Sequence, residues 1–234
     1  YEDLKSQGPV CRRRHKRVIT VVAIHNCCLT HKMGEIMKAQ ETAVVLIEFQ
    51  NEFCKEGGKL NPGVNSEISR QGTIENAVKL SREARDKGAM IIHAPFIFNP
   101  AYYEEHQMVG IVKAVADADA FKENTWGAEI IDELKPDEGD KVVGGKCTLC
   151  GFNNTDLGEI LKDTGVKNVV TAGFLTNYCV ESTSRTAYDR GYSVTIIKDA
   201  TAATSTEEQQ HAEEKIFPAI GQVMTADEFL AQLD

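Results

Sequence analysis

Short apolar, β-branched runs alternate with segments of helical period along most of this chain. Ala43-Val44-Val45-Leu46-Ile47 is an unbroken apolar run, as expected of a strand buried on both faces. Residues 66–87 then carry Ile68, Ile74, Ala77, Val78, Leu80 and Ala84 at helical spacing, and Lys87-Gly88 ends that segment. Ala89 to His93, Lys141 to Val143, Asn168 to Ala172, Tyr192 to Ile197 and Gln222 to Met224 read as five further strands. Helical segments are predicted near Leu157–Leu161, over 177–190 and over 205–216. Thr225-Ala226-Asp227-Glu228 reads as a capping box opening a last helix. Strand and helix in alternation require a parallel sheet covered on both sides. The expectation is one α/β domain over 41–234, a three-layer α/β/α, Rossmann-like architecture on a mainly parallel six-stranded sheet. Residues 96–126 fit the alternation least, and read as an inserted lid or interface segment.

Charge separates the ends of the chain. Residues 1–40 hold eight Lys/Arg against three Asp/Glu, and residues 41–234 hold 18 against 32. An acidic body repels phosphate backbones, so no nucleic-acid partner is expected for it. Arg12-Arg13-Arg14-His15-Lys16-Arg17, followed by a short apolar stretch, has the outline of a targeting segment or of a disordered basic extension. No apolar run is long enough to span a bilayer as a helix. The seven cysteines lack the spacing of a disulfide scaffold, which suggests a reducing, cytoplasmic setting, with organelle targeting by the basic segment left open.

Open α/β sheets place their active sites beyond the carboxyl ends of strands. Three reactive side chains fall at such ends: Glu48 after the first strand, Lys146 after the third, and Cys179 after the fourth. Thr176 or Asn177 can cap the following helix, which would put Cys179 in its first turn and favour a thiolate there. A buried structural cysteine is the competing reading. Glu48 closes an apolar run and needs a partner; Lys146 can supply it, either in a plain ion pair or in a catalytic group.

These segments resemble the isochorismatase-like cysteine hydrolase superfamily. The resemblance is carried by Val45-Leu46-Ile47-Glu48-Phe49-Gln50-Asn51-Glu52-Phe53, by Gly145-Lys146 with Phe152 and Thr155-Asp156-Leu157, by Gly173-Phe174-Leu175-Thr176-Asn177-Tyr178-Cys179-Val180-Glu181-Ser182-Thr183 with Ala187-Tyr188-Asp189-Arg190-Gly191-Tyr192, and by Lys198-Asp199-Ala200. It implies a catalytic triad of Glu48, Lys146 and Cys179, where Glu48 stands in place of the family's commoner Asp. It implies a non-proline cis peptide at Phe174–Leu175 and an oxyanion hole made by the backbone amides of Leu175 and Cys179. It places Phe53 in the substrate pocket, with Trp126 and Tyr178 as further lining candidates. It also suggests a dimer or tetramer.

Nicotinamidases, a similar group, add a metal site of one Asp and two His after the first motif. Here Gly57-Gly58-Lys59-Leu60-Asn61-Pro62-Gly63 contains no His and the nearest is His93, so no metal and no cofactor are expected. Cys147-Thr148-Leu149-Cys150 has the CxxC form without a correctly spaced second pair, and reads as pocket-edge thiols rather than a zinc site. His106 and His211 read as surface residues. The leading expectation is a hydrolase that cleaves an amide, ureido or carbamoyl C–N bond of a small molecule through a cysteine thioester. The alternatives are a vinyl ether hydrolase of the isochorismatase type, and a catalytically silent binding protein on the same fold.

Overall fold

A computed structural model of the chain describes residues 36–234. The basic segment 12–17 and Cys11, Cys27 and Cys28 lie outside the described residues. In chain order the elements are β1 (Thr42–Ile47), α1 (Asn51–Cys54), α2 (Asn65–Gln71), α3 (Thr73–Asp86), β2 (Met90–Ala94), α4 (Gly110–Asp117), β3 (Lys141–Val142), α5 (Leu157–Asp163), β4 (Asn168–Phe174), α6 (Glu181–Asp189), β5 (Ser193–Ala202), α7 (Thr206–His211), β6 (Gln222–Met224) and α8 (Ala226–Leu230).

The six strands pair in the order β3-β2-β1-β4-β5-β6, every pairing parallel. Successive residues of β1 face opposite sides. Val44 and Leu46 pack with Ala77, Leu80 and Ala84 of α3 and Phe229 of α8. Ala43, Val45 and Ile47 pack with Leu157 and Leu161 of α5 and Ala187 of α6. Helices therefore cover both faces, as parallel strands buried on two sides require. No helix among the described residues is long and apolar enough to cross a membrane.

Several sequence expectations shift. The single helix expected over 66–87 is two helices, because Gly72 takes a left-handed conformation (φ 65°) between α2 and α3. β5 runs on to Ala202, beyond the expected Ile197. Met37 and Ala39 already hydrogen-bond to Gln232 and Asp234, so chain before residue 41 belongs to the packed body. The capping box at Thr225 and Glu228 is present in both directions.

The strand order fixes where a ligand can sit. The chain builds β1, β2 and β3 to one side, then crosses back to lay β4 on the other side of β1. Connections leaving β1 and β4 diverge, and a crevice opens at that switch point. Gly173 closes the approach below it. It pairs with Ile47 at φ 125°, and a Cβ on it would lie 1.9 Å from the Ile47 carbonyl oxygen, so a side chain would force the two strand ends apart.

Candidate active site

Glu48 leaves the end of β1 in the left-handed region (φ 59°), a conformation that costs a non-glycine residue about 1–3 kcal/mol and that clusters at functional sites. The turn is held by the Glu48 N–H donating to Ala94 O (3.2 Å) and the Gln50 N–H donating to Glu48 O (2.7 Å). Gln50, fully buried, fixes the neighbouring chain. Its amide donates to Phe96 O (2.9 Å) and Ala128 O (2.6 Å) and accepts from the Phe96 N–H (2.8 Å).

Lys146 follows β3 after Gly145, whose positive φ of 81° and close approach to Asn154 O leave no room for a side chain. Ile97 N–H donates to Lys146 O at 2.9 Å, which anchors the loop to the segment after β2. The Lys146 side chain is fully buried. Its ammonium donates to Glu48 Oε1 and to Thr148 O (2.9 Å) and lies 5.2 Å from the centre of the Phe96 ring. Burial alone would pull this ammonium down; the charge of Glu48, aided by the thiols of Cys179 and Cys150, outweighs it and holds the group above its ordinary value.

Cys179 sits in a wide helical turn, Thr176–Val180, that precedes α6. This corrects two expectations. Thr176 does not cap a helix; its hydroxyl donates to Gln209 Oε1 (2.7 Å), tying the turn to α7. The thiol is not lowered by a helix start either. Burial pushes it well above its ordinary value, and the Glu48 carboxylate adds to that, against the opposing pull of Lys146. Its burial keeps the resting sulfur a thiol, and Glu48 and Cys179 line the same cavity. The Phe174–Leu175 peptide is cis. The Leu175 N–H has no backbone or side-chain oxygen acceptor among the described residues.

Glu48, Leu175 and Cys179 form the floor of a small cavity of about 20 Å³. Phe53, Phe96 and Phe121 wall it, with the Phe121 ring centre 5.3 Å from that of Phe53 and 5.4 Å from that of Phe96. Ile111, Val112 and Val115 of α4 roof it, and Leu149 stands at its edge. A second, open cleft of about 630 Å³ lies beyond Leu149, lined by Cys150, Phe152, Ser182 and Arg190 among others. Of the lining residues expected, Phe53 is in the cavity. Trp126 and Tyr178 are not, since they stand 50 % and 36 % exposed at the surface. Trp126 instead packs near Gly57. Cys150 lines the outer cleft, Cys147 is buried, and both are free thiols. His106 and His211 are exposed. His93 is buried against Asp140 (3.2 Å), which also binds Arg85 (2.7 Å). Among the described residues no three His, Cys, Asp or Glu side chains gather as a metal-binding group.

Sequence reading missed the aliphatic roof and the roles of Gln50 and Glu52. Glu52, also buried, accepts from the Lys59 N–H (2.7 Å) and the Phe121 N–H (3.2 Å), so it pins the far end of the segment carrying the roof. Both residues stand inside the first motif, and buried amide or carboxylate groups beside an apolar strand are the signal that could have found them.

The Isochorismatase domain profile matches residues 42–228. The chain belongs to the isochorismatase family. Its relatives include ureidoacrylate amidohydrolase RutB of Rhizobium rhizogenes, 31 % identical over 211 residues that cover 83 % of this chain and 84 % of that protein. RutB of Pseudomonas savastanoi pv. phaseolicola is 30 % identical over 206 residues, covering 82 % and 84 %. Among solved structures, a cysteine hydrolase from Pseudomonas syringae pv. phaseolicola superposes with a TM-score of 0.71 at 26 % identity, covering 83 % of this isochorismatase-family chain and 92 % of that one.

Proposed function

We propose that this enzyme hydrolyses the C–N bond of a small ureido, carbamoyl or amide compound, with Cys179 as nucleophile, Glu48 as general base and acid, and Lys146 as electrostatic partner. The observation that carries the reading is a buried thiol that shares a cavity with a buried carboxylate, itself paired with a buried ammonium, at the switch point of the sheet. The names of the amidohydrolase relatives support the same chemistry.

In the forward half-reaction Glu48 takes the thiol proton as sulfur attacks the substrate carbonyl carbon. The Leu175 and Cys179 amides receive the oxyanion, and a donor set in place beforehand can contribute about 3–4 kcal/mol to such a step. Protonated Glu48 then passes its proton to the leaving nitrogen as the C–N bond breaks, which leaves a thioester on Cys179 and a free amine or ammonia. Glu48 next deprotonates water. The hydroxide adds to the thioester carbon, the C–S bond breaks, and the proton returns to sulfur. Lys146 stays paired with the Glu48 carboxylate between proton transfers. A vinyl ether hydrolase has no need of the thiol, so the Glu48–Cys179 contact favours the amidohydrolase over that alternative.

The wide turn leaves Tyr178 exposed, and Tyr188 of α6 is 52 % exposed. We infer that this aromatic face joins subunits of a homo-oligomer, a dimer or tetramer. All four described cysteines are free, in keeping with a reducing, cytoplasmic setting. The test of the activity is a panel of small ureas, carbamoyl compounds and amides assayed for ammonia release. At least one compound is expected to be turned over by the wild type and by no preparation of Cys179→Ala. Undiminished turnover in that variant overturns the assignment of the nucleophile.

A further inference from the structure

The cavity over Cys179 is built almost entirely from carbon. Apart from Glu48 and Cys179 on its floor, its lining is aromatic or aliphatic: Phe53, Phe96, Phe121 below and Ile111, Val112, Val115 above. Its only ionisable groups are thus an acid and a thiol, and neither attracts an anion. Lys146 is no substitute. It is not among the lining residues, and its ammonium is already directed to Glu48, Thr148 O and the Phe96 ring. Arg190 also lies outside this cavity. It stands in the outer cleft beyond Leu149, with its guanidinium 4.5 Å from the centre of the Phe152 ring.

We propose that the substrate of this chain carries an uncharged, apolar substituent, alkyl or aryl, beside the reacting ureido or carbamoyl group, and that Ile111, Val112 and Val115 of α4 select it. The inference rests on the amidohydrolase reading and departs from the carboxylate specified by the ureidoacrylate of the relatives' name. A carboxylate placed under α4 would lose its water, meet no cationic side chain in the lining, and lie near Glu48, whereas a branched alkyl group would exchange water for aliphatic contact. At about 20 Å³ the space holds one water and little more, so the substituent must displace the roof. α4 is suited to yield, because Val115 is its only buried residue while Ile111 and Val112 are half-buried.

A shape-matched pair tests this: N-(3-methylbutyl)urea, which ends in an isopropyl group, and 3-ureidopropanoate, which ends in a carboxylate of similar outline. Ammonia release is measured for the wild type, and binding of both compounds to Cys179→Ala is measured by calorimetry. The alkylurea is expected to be favoured at least 100-fold in kcat/KM, and Val112→Lys is expected to reduce or invert that ratio. Equal or better turnover of the carboxylate by the wild type overturns the inference and leaves the amidohydrolase reading standing. If the wild type hydrolyses neither compound yet Cys179→Ala binds only the alkylurea, the pocket assignment holds and the ureidohydrolase reading falls. Failure to bind either compound overturns the pocket assignment.

Discussion

The floor and the roof of the cavity are built in opposite ways. Glu48, Lys146 and Cys179 sit at strand ends, buried, with polar neighbours that answer one another across long stretches of chain. The roof is one short helix whose inner face is aliphatic and whose outer face meets water, flanked by exposed Met108 and Val109. The sheet therefore holds the reacting groups in place, as chemistry demands, while the insertion sets what fits beside them. Within one fold the first part can persist while the second is rebuilt for another substrate.

The largest expected effect breaks the floor. Lys146→Met leaves the Glu48 carboxylate buried and unpaired, and is expected to cost about 3–5 kcal/mol of stability in chemical denaturation. Adding Glu48→Gln to it should recover a large part of that loss, and strictly additive losses would show that the two groups do not interact. A smaller effect is expected where the strands meet below the site. Gly173→Ala drives a methyl group into the Ile47 carbonyl and should cost about 3 kcal/mol, with turnover lost as β1 and β4 separate; a thermal midpoint equal to the wild type would show that the strand ends are not in such close contact. The smallest effect belongs to the roof. Val112→Ala is expected to change stability by less than about 1 kcal/mol, since the side chain is only half-buried, while KM for alkyl substrates shifts several-fold at constant kcat. A loss of kcat as large as that of a floor variant would erase the distinction between floor and roof.

Much of the floor was legible in the sequence because strands announce themselves. The run Ala43–Ile47 and the positions of Glu48, Lys146 and Cys179 just past strand ends need only the rule that sites gather at carboxyl edges. The roof was hidden. Gly110–Asp117 looks like any short amphipathic helix, and nothing in its spacing says that Ile111 and Val112 face a sulfur atom brought close by β4. Trp126 and Tyr178 misled in the other direction, because an aromatic residue near a motif carries no mark of which way it points. The state of Cys179 was also unreadable. A position near a helix start suggested a lowered thiol, but burial raises it, and the charge of Glu48, 131 positions earlier in the chain, adds to that.

That electrostatic coupling is the centre of the account and can be measured without a substrate. Alkylation of Cys179 by iodoacetamide is followed against pH, site by site by mass spectrometry, in the wild type and in Glu48→Gln. Burial and the Glu48 charge both raise the thiol, so the wild-type midpoint should lie above that of an ordinary cysteine. Removing the negative charge while leaving the Lys146 ammonium beside the sulfur should move the midpoint to lower pH, so that the variant alkylates faster at neutral pH even though it no longer turns over. A midpoint that stays in place, or climbs, would contradict a proton shared between Glu48 and Cys179.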